Sequence, residues 1–141
     1  MVSVVSADKR QLPKSIVSHH LHVQAHDSLD ARLLTHFPRI CQFVDAARSE
    51  NSSVFIHCGA GISRAPTSVA ACLMWRYRLP ARDALRLVKK ARPSARPNIN
   101  FVQQLVEWEQ QVAELRGLVV NLGCNSDANA DNESEVKNIE I

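Results

Sequence analysis

Long apolar runs are missing from this chain. The longest, Val69 to Trp75, falls far short of the roughly 20 residues that a membrane-spanning helix needs. The opening MVSVVSADKR has no apolar stretch of the secretory kind, and residue 2 is Val where N-myristoylation requires Gly. Neither twin arginines nor a C-terminal CaaX box is present. There are only four cysteines, Cys41, Cys58, Cys72 and Cys124, and none are spaced as C-x-x-C. The expectation is reduced thiols in a cytoplasmic or nuclear protein, where a single special cysteine would be catalytic. Four glycines and six prolines are too few for a collagen-like chain, and 45% hydrophobic against 22% charged residues excludes a largely disordered one. No internal repeat is found.

What remains is a 141-residue chain with room for one domain and one core. Its formal charge of +3 hides a split. Residues 122–141 hold five acids and one lysine, leaving a body, residues 1–121, at about +7 and a tail at about −4. A basic body suggests an anionic partner, whether nucleic acid, acidic lipid or a phosphorylated substrate. The tail reads as polar, acidic and disordered.

Hydrophobic spacing sets the expected elements. Val2–Val5 reads as an apolar strand and residues 16–25 as a strand of loose period two. From Ser28 or Asp30 onward, Leu33, Phe37, Ile40, Cys41, Val44 and Ala47 recur at helical spacing. Pro38 implies either two short helices or a kink. Asn51-Ser52-Ser53 reads as a turn, and Val54–Ile56 as a strand buried on both faces. A helix opens near Arg64 and ends at Leu79-Pro80. A second covers Ala81–Arg92, and a third covers Ile99–Arg116 with the stripe Phe101, Leu105, Trp108, Val112 and Leu115. Gly117 is the expected stop. This order predicts an α/β fold with a partly parallel sheet.

The segment VFIHCGAGISR, residues 54–64, carries the chemistry. A strand delivers Cys58 into a glycine loop that feeds a helix at Arg64. Backbone amides from Gly59 through Ala60, Gly61, Ile62 and Ser63 to Arg64 can converge on one anion, aided by the helix dipole. Gly59 and Gly61 permit the close approach such a nest needs. Arg64 supplies two parallel donors to a tetrahedral oxyanion. The same field favours the thiolate of Cys58, whose sulfur would lie beneath the bound anion, placed for in-line attack on phosphorus. His57 can bond backbone near the loop and hold the thiolate in place. The blander alternative is a buried structural cysteine at a strand end beside a glycine turn.

HCGAGISR matches the His-Cys-x-x-Gly-x-x-Arg signature of cysteine-based protein phosphatases. VFIHCGAGISRAPTSVAACLMW resembles the phosphate loop and following helix of dual-specificity phosphatases. ARPSARPNINFVQQLVEWE resembles the Arg-Pro…Pro-Asn…Phe…Gln-Leu…Glu segment of their last helix. The likeness is to the small atypical members and runs from about Val2 to Glu114. It implies a three-layer fold with a central, mostly parallel sheet flanked by helices. It implies hydrolysis of phosphotyrosine and phosphoserine or phosphothreonine proteins without a metal or other cofactor. It also implies that Asp27, ten residues before Phe37, is the general acid, with Asp30 as the runner-up; for either one the plain alternative is a helix cap.

Two departures from the family pattern stand out. Ala65 follows the signature arginine where the family usually has Ser or Thr, a hydroxyl that resembles a donor to the departing thiolate. The family domain also normally begins some tens of residues earlier, with strands and a helix at one sheet edge. An edge left open in this way is expected to be covered by a partner or paired with a second copy.

Weaker signals point elsewhere. His19, His20, His22 and His26 could be read as a metal site, but no carboxylate or thiol completes a known spacing, so solvent-facing strand-end histidines are the expectation. Eight basic residues between Arg76 and Arg96 read either as a solvated helix face or as a rim that steers phosphorylated substrates, with nucleic acid ranked below both. Cys72 is read as buried and structural, although some relatives pair a nearby cysteine with the catalytic one. The rival to an enzyme is a phosphate-binding pseudophosphatase acting as a scaffold. The same chemistry on phosphoinositide or an RNA 5′-phosphate ranks lower, because Gly59, Ala60 and Ile62 carry no charge.

Overall fold

The computed structural model describes residues 1–6 and 19–121. The acidic tail and the first part of the expected strand over 16–25 lie outside the described residues. Three parallel strands, β1 (Val2–Val5), β2 (Leu21–Gln24) and β3 (Ile56–His57), form a sheet in the order β2-β1-β3. The N-terminal strand is therefore the central one. Its cross-strand register decides what each face carries. Val2 lies opposite Leu21 and Ile56, and Val4 lies opposite Val23. All five side chains are buried. One residue out of phase, Ser3 lies opposite His22 and His57, so the other face is polar at its centre.

Four helices flank this sheet: α1 (Phe37–Ser49), α2 (Arg64–Tyr77), α3 (Ala81–Ala91) and α4 (Ile99–Asn121). Helix α2 is the hub, packing against β1, β3 and the other three helices. Ten of its residues are buried, because Ala65, Ala70 and Ala71 let its neighbours approach closely. Trp108 of α4 fills the centre, edge-on to Phe37 and stacked on Trp75, and its indole N–H donates to the Ala71 carbonyl at 3.2 Å.

The expected elements are present, with three corrections. Of the two alternatives at Pro38, the structure has two successive helices and no kink: a 3-10 turn over Leu34–His36 precedes α1, and the proline sits in the first turn of α1, where its missing N–H costs nothing. The third strand is Ile56–His57 rather than Val54–Ile56. Phe55 is 56% exposed: it alternates with the buried Ile56 and so lies on the other face of the sheet, stacked on His57. Gly117 does not stop α4, which continues to Asn121; a helical glycine costs only about 1 kcal/mol. Leu115 is 46% exposed and so is not part of the stripe, which is buried from Phe101 through Leu105 and Trp108 to Val112.

Candidate active site

Cys58 follows β3 directly and is buried at the start of the glycine loop. The loop ends where α2 begins, at Arg64, as its spacing predicts. Ser63 occupies the N-cap position of α2, yet its side chain makes no capping bond. Its hydroxyl instead donates to Asp27 Oδ1 at 2.8 Å. Pro66 has no N–H, and the N–H of Thr67 is bonded to the Ser63 carbonyl. Among the described residues the Arg64 and Ala65 amides thus remain as uncapped donors of the first turn.

The guanidinium of Arg64 is half committed. Its Nη1 donates to Ser6 Oγ and to the Ala25 carbonyl, both at 3.0 Å, which ties α2 to the ends of β1 and β2. Its Nε is buried and has no partner among the described residues. Nε and Nη2 therefore form one unused edge, a two-donor fork suited to two oxygens of a tetrahedral anion. Gly59 makes room for it: a Cβ there would stand 3.2 Å from Nη2. Gly61 has φ +66°, a conformation that favours glycine, and its carbonyl accepts from Arg92 Nε at 2.9 Å. The Arg96 N–H donates to the Ile62 carbonyl at 2.7 Å, so the loop is braced from both positions.

The structure brings Asp27 to this loop from the segment after β2. Its Oδ1 accepts from Ser63 Oγ and from Asn98 Nδ2, the latter at 2.7 Å. Among the described residues nothing bonds Oδ2, which leaves that oxygen available to carry a proton. Asp30, the runner-up, is exposed; hydrogen bonds from Ser28 and from its own backbone hold its carboxyl below the usual range. His57 bonds the side chain of Ser3 across the sheet, with Nε2 2.6 Å from Oγ.

Asn98 was the residue that sequence reasoning passed over. The only signal was its place in the Pro-Asn pair of the last-helix segment, which reads equally well as a helix start. Gln104 was missed too. Fully buried, it accepts from the Leu33 and Leu34 amides at 2.7 and 2.8 Å and donates to the Ala31 carbonyl, pinning the segment that follows Asp27.

The remaining candidates resolve simply. No group of three metal-capable side chains occurs among the described residues. His19, His20 and His26 are exposed as expected, but His22 is half-buried, with Nε2 enclosed and unpartnered among the described residues, because it lies opposite Ser3 on the sheet face. Arg82, Arg86, Lys89 and Lys90 face solvent on α3. Cys72 pairs with Cys41, not Cys58, with the sulfurs 3.8 Å apart; that hydrogen bond and burial push its thiol well above the ordinary range.

The chain is similar to known proteins in sequence and in fold. The family model described as "Dual specificity phosphatase, catalytic domain" matches residues 2–111. Human dual specificity protein phosphatase 16 is 36% identical over 100 residues, which are 71% of this chain and 15% of that protein. The chain spans 15 to 26% of the length of the first curated relatives it matches. Crystal structures of human DUSP28 and of human tyrosine phosphatase-like serine/threonine/tyrosine-interacting protein superimpose with TM-scores of 0.71 and 0.68. Their identities are 28% and 25%; the matches cover 79% and 80% of this chain, and 76% and 79% of theirs.

Proposed function

Because the chain belongs to the dual specificity phosphatase catalytic-domain family, we propose that it removes phosphate from phosphotyrosine and from phosphoserine or phosphothreonine in proteins, through a phosphate thioester on Cys58. In the first step the Cys58 thiolate attacks phosphorus. An S–P bond forms as the P–O bond to the substrate side chain breaks. The unused fork of Arg64 and the open amides of α2 hold the equatorial oxygens as charge redistributes. Asp27 gives the leaving oxygen a proton from Oδ2. In the second step the Asp27 carboxylate takes a proton from water, the water oxygen bonds phosphorus, and the S–P bond breaks to release phosphate and thiolate.

The observation that carries this reading is the pair of hydrogen bonds that Ser63 and Asn98 donate to one oxygen of Asp27, which holds a carboxyl from a distant segment beside the loop with its other oxygen unengaged among the described residues. The test is hydrolysis of a small aryl phosphate and of phosphotyrosine and phosphothreonine peptides. Turnover is expected in the native protein and its loss in Cys58→Ser; equal turnover in both would refute the thioester.

A second reading is favoured by Ala65, which is 2% exposed and offers no hydroxyl beside Arg64. In this reading the domain binds phosphoproteins as a scaffold and turns them over weakly. The resemblance to a protein described only as phosphatase-like and interacting is consistent with it. Ala65→Ser decides how far it holds: restoring the hydroxyl is expected to speed phosphoenzyme breakdown by roughly tenfold or more. No gain, with breakdown rate-limiting, removes Ala65 as the cause of slow turnover.

The proposal extends to partners at the sheet edge. The outer edge of β3 borders a groove of about 570 Å³ lined in part by Val44, Val54, Phe55, Val69 and Leu73. A partner protein or a second copy pairing there would cover the exposed Phe55. Light scattering of the protein over a concentration series tests the second copy.

A further inference from the structure

The polar face of the sheet holds a hydrogen-bonded chain that leads away from Cys58. Ser3 lies on the central strand, in register with His57 on one side and His22 on the other, and is 4% exposed. Its Oγ is 2.6 Å from His57 Nε2 and 2.8 Å from His20 Nε2. The His57 ring is also stacked on Phe55, with centroids 5.6 Å apart and planes 16° from parallel. The residue before the candidate nucleophile is thus clamped by a ring on one side and a buried hydroxyl on the other. The far end of the chain, His20, is exposed to solvent.

Proton counting couples the three groups. A serine hydroxyl has one proton and two lone pairs, and a neutral imidazole nitrogen either donates or accepts. With both rings neutral, the single proton of Oγ can reach only one Nε2, so at least one of the two Nε2 atoms must carry a proton toward Oγ. If His20 accepts the Oγ proton, the His57 proton must reside on Nε2. If His20 donates inward, the Oγ proton is released to reach His57 Nε2, and the His57 proton can then reside on Nδ1. The tautomer of His57 is therefore chosen together with that of a solvent-facing histidine some way from the loop. His20 favours the neutral form: burial, the N-terminal ammonium, His22 and His57 all hold it below its ordinary range.

We infer that Ser3 is a positioning residue for the reaction proposed above: its hydroxyl fixes the ring orientation and tautomer of His57, with His20 as the outer partner, and thereby keeps the backbone that presents Cys58 ready for attack. This inference rests on the reading of Cys58 as nucleophile, so its test uses two readouts that need no turnover. These are the ¹⁵N imidazole shifts of His57 and the rate at which iodoacetamide alkylates Cys58.

In Ser3→Ala, which removes one oxygen from a buried strand, the His57 Nε2 signal is expected to move toward that of an unconstrained ring. Alkylation of Cys58 at pH 6.5 is expected to slow about fivefold, the worth of one ordinary hydrogen bond. The acid limb of kcat/KM should shift in the same variant. Ser3→Thr keeps the hydroxyl and should restore all three. His20→Ala leaves β1 untouched and should release the His57 tautomer alone, which keeps the test open if Ser3→Ala folds poorly. Unchanged ¹⁵N shifts and alkylation in both Ser3→Ala and His20→Ala would overturn the inference, even with full phosphatase activity. Altered shifts in a protein that hydrolyses no aryl phosphate would uphold the positioning and refute the enzyme.

Discussion

The side-chain amide of Asn98 donates to Asp27 Oδ1 at 2.7 Å across 71 residues of sequence. The backbone N–H of the same asparagine donates to Ser63 Oγ at 3.2 Å, and Ser63 in turn donates to Asp27. Three segments, the one after β2, the phosphate loop and the start of α4, meet in this triangle. Its effect is to aim one carboxylate oxygen away from the protein bonds.

Removing one corner should loosen the acid without removing it. Asn98→Ala is expected to lower kcat about tenfold on a substrate with a poor leaving group, and much less on one whose leaving oxygen needs no proton. Asp27→Asn should cost about 10² or more on the first substrate. Equal losses on both substrates would show that Asn98 acts on folding or binding and not through Asp27.

Gly61 combines a left-handed φ with a close neighbour. An added Cβ would stand 2.7 Å from Arg92 Nη2. Gly61→Ala should destabilise the domain by about 1–2 kcal/mol from the backbone alone and displace Arg92 besides. Urea unfolding of Gly61→Ala, Arg92→Ala and the double variant separates the two. The double variant should relieve the clash but keep the backbone cost.

Gln104 satisfies two buried amides at once. Gln104→Leu keeps the volume and leaves the Leu33 and Leu34 N–H groups unpaired. The expected loss is about 2–4 kcal/mol in chemical denaturation. A drop in kcat should follow, because the segment behind Asp27 loses its anchor. A variant as stable as the native protein would mean that those amides find other partners.

Acid should weaken the fold through His36. Burial, and after it the Arg39 cation, hold His36 below its ordinary 6.5. Above pH 6.5 the ring is neutral in both folded and unfolded chains, so it contributes no slope. As pH falls through 6.5 the unfolded chain takes up the proton first, and stability declines until the folded pKa is reached. His20 is shifted in the same direction and adds to the decline. Denaturation midpoints between pH 7.5 and 5 should fall, and His36→Gln should flatten part of that fall.

Much of the site was legible in residues 54–64, because a strand, a cysteine, two glycines, an arginine and a helix start occur within eleven positions and each is a local property. Local spacing also placed the helices, since a 3.6-residue period needs no knowledge of what packs against it. The third strand was set two residues too early at its start and one at its end, because a short apolar run carries no sign of which of its residues will pair with β1.

The chain's own order of residues thus determined the cysteine–glycine loop, the helix that follows it and the buried stripe of α4 from Phe101 to Val112. Only the folded molecule decided which carboxyl reaches the loop, which edge of Arg64 stays unused and which hydroxyl clamps His57. Those choices join Asp27 to Asn98, Arg64 to Ser6 and His57 to Ser3, pairs separated by 71, 58 and 54 residues. Hydrogen bonds over such separations exist only once the strands are in register and α4 has docked on α2, so no periodicity along the chain can announce them.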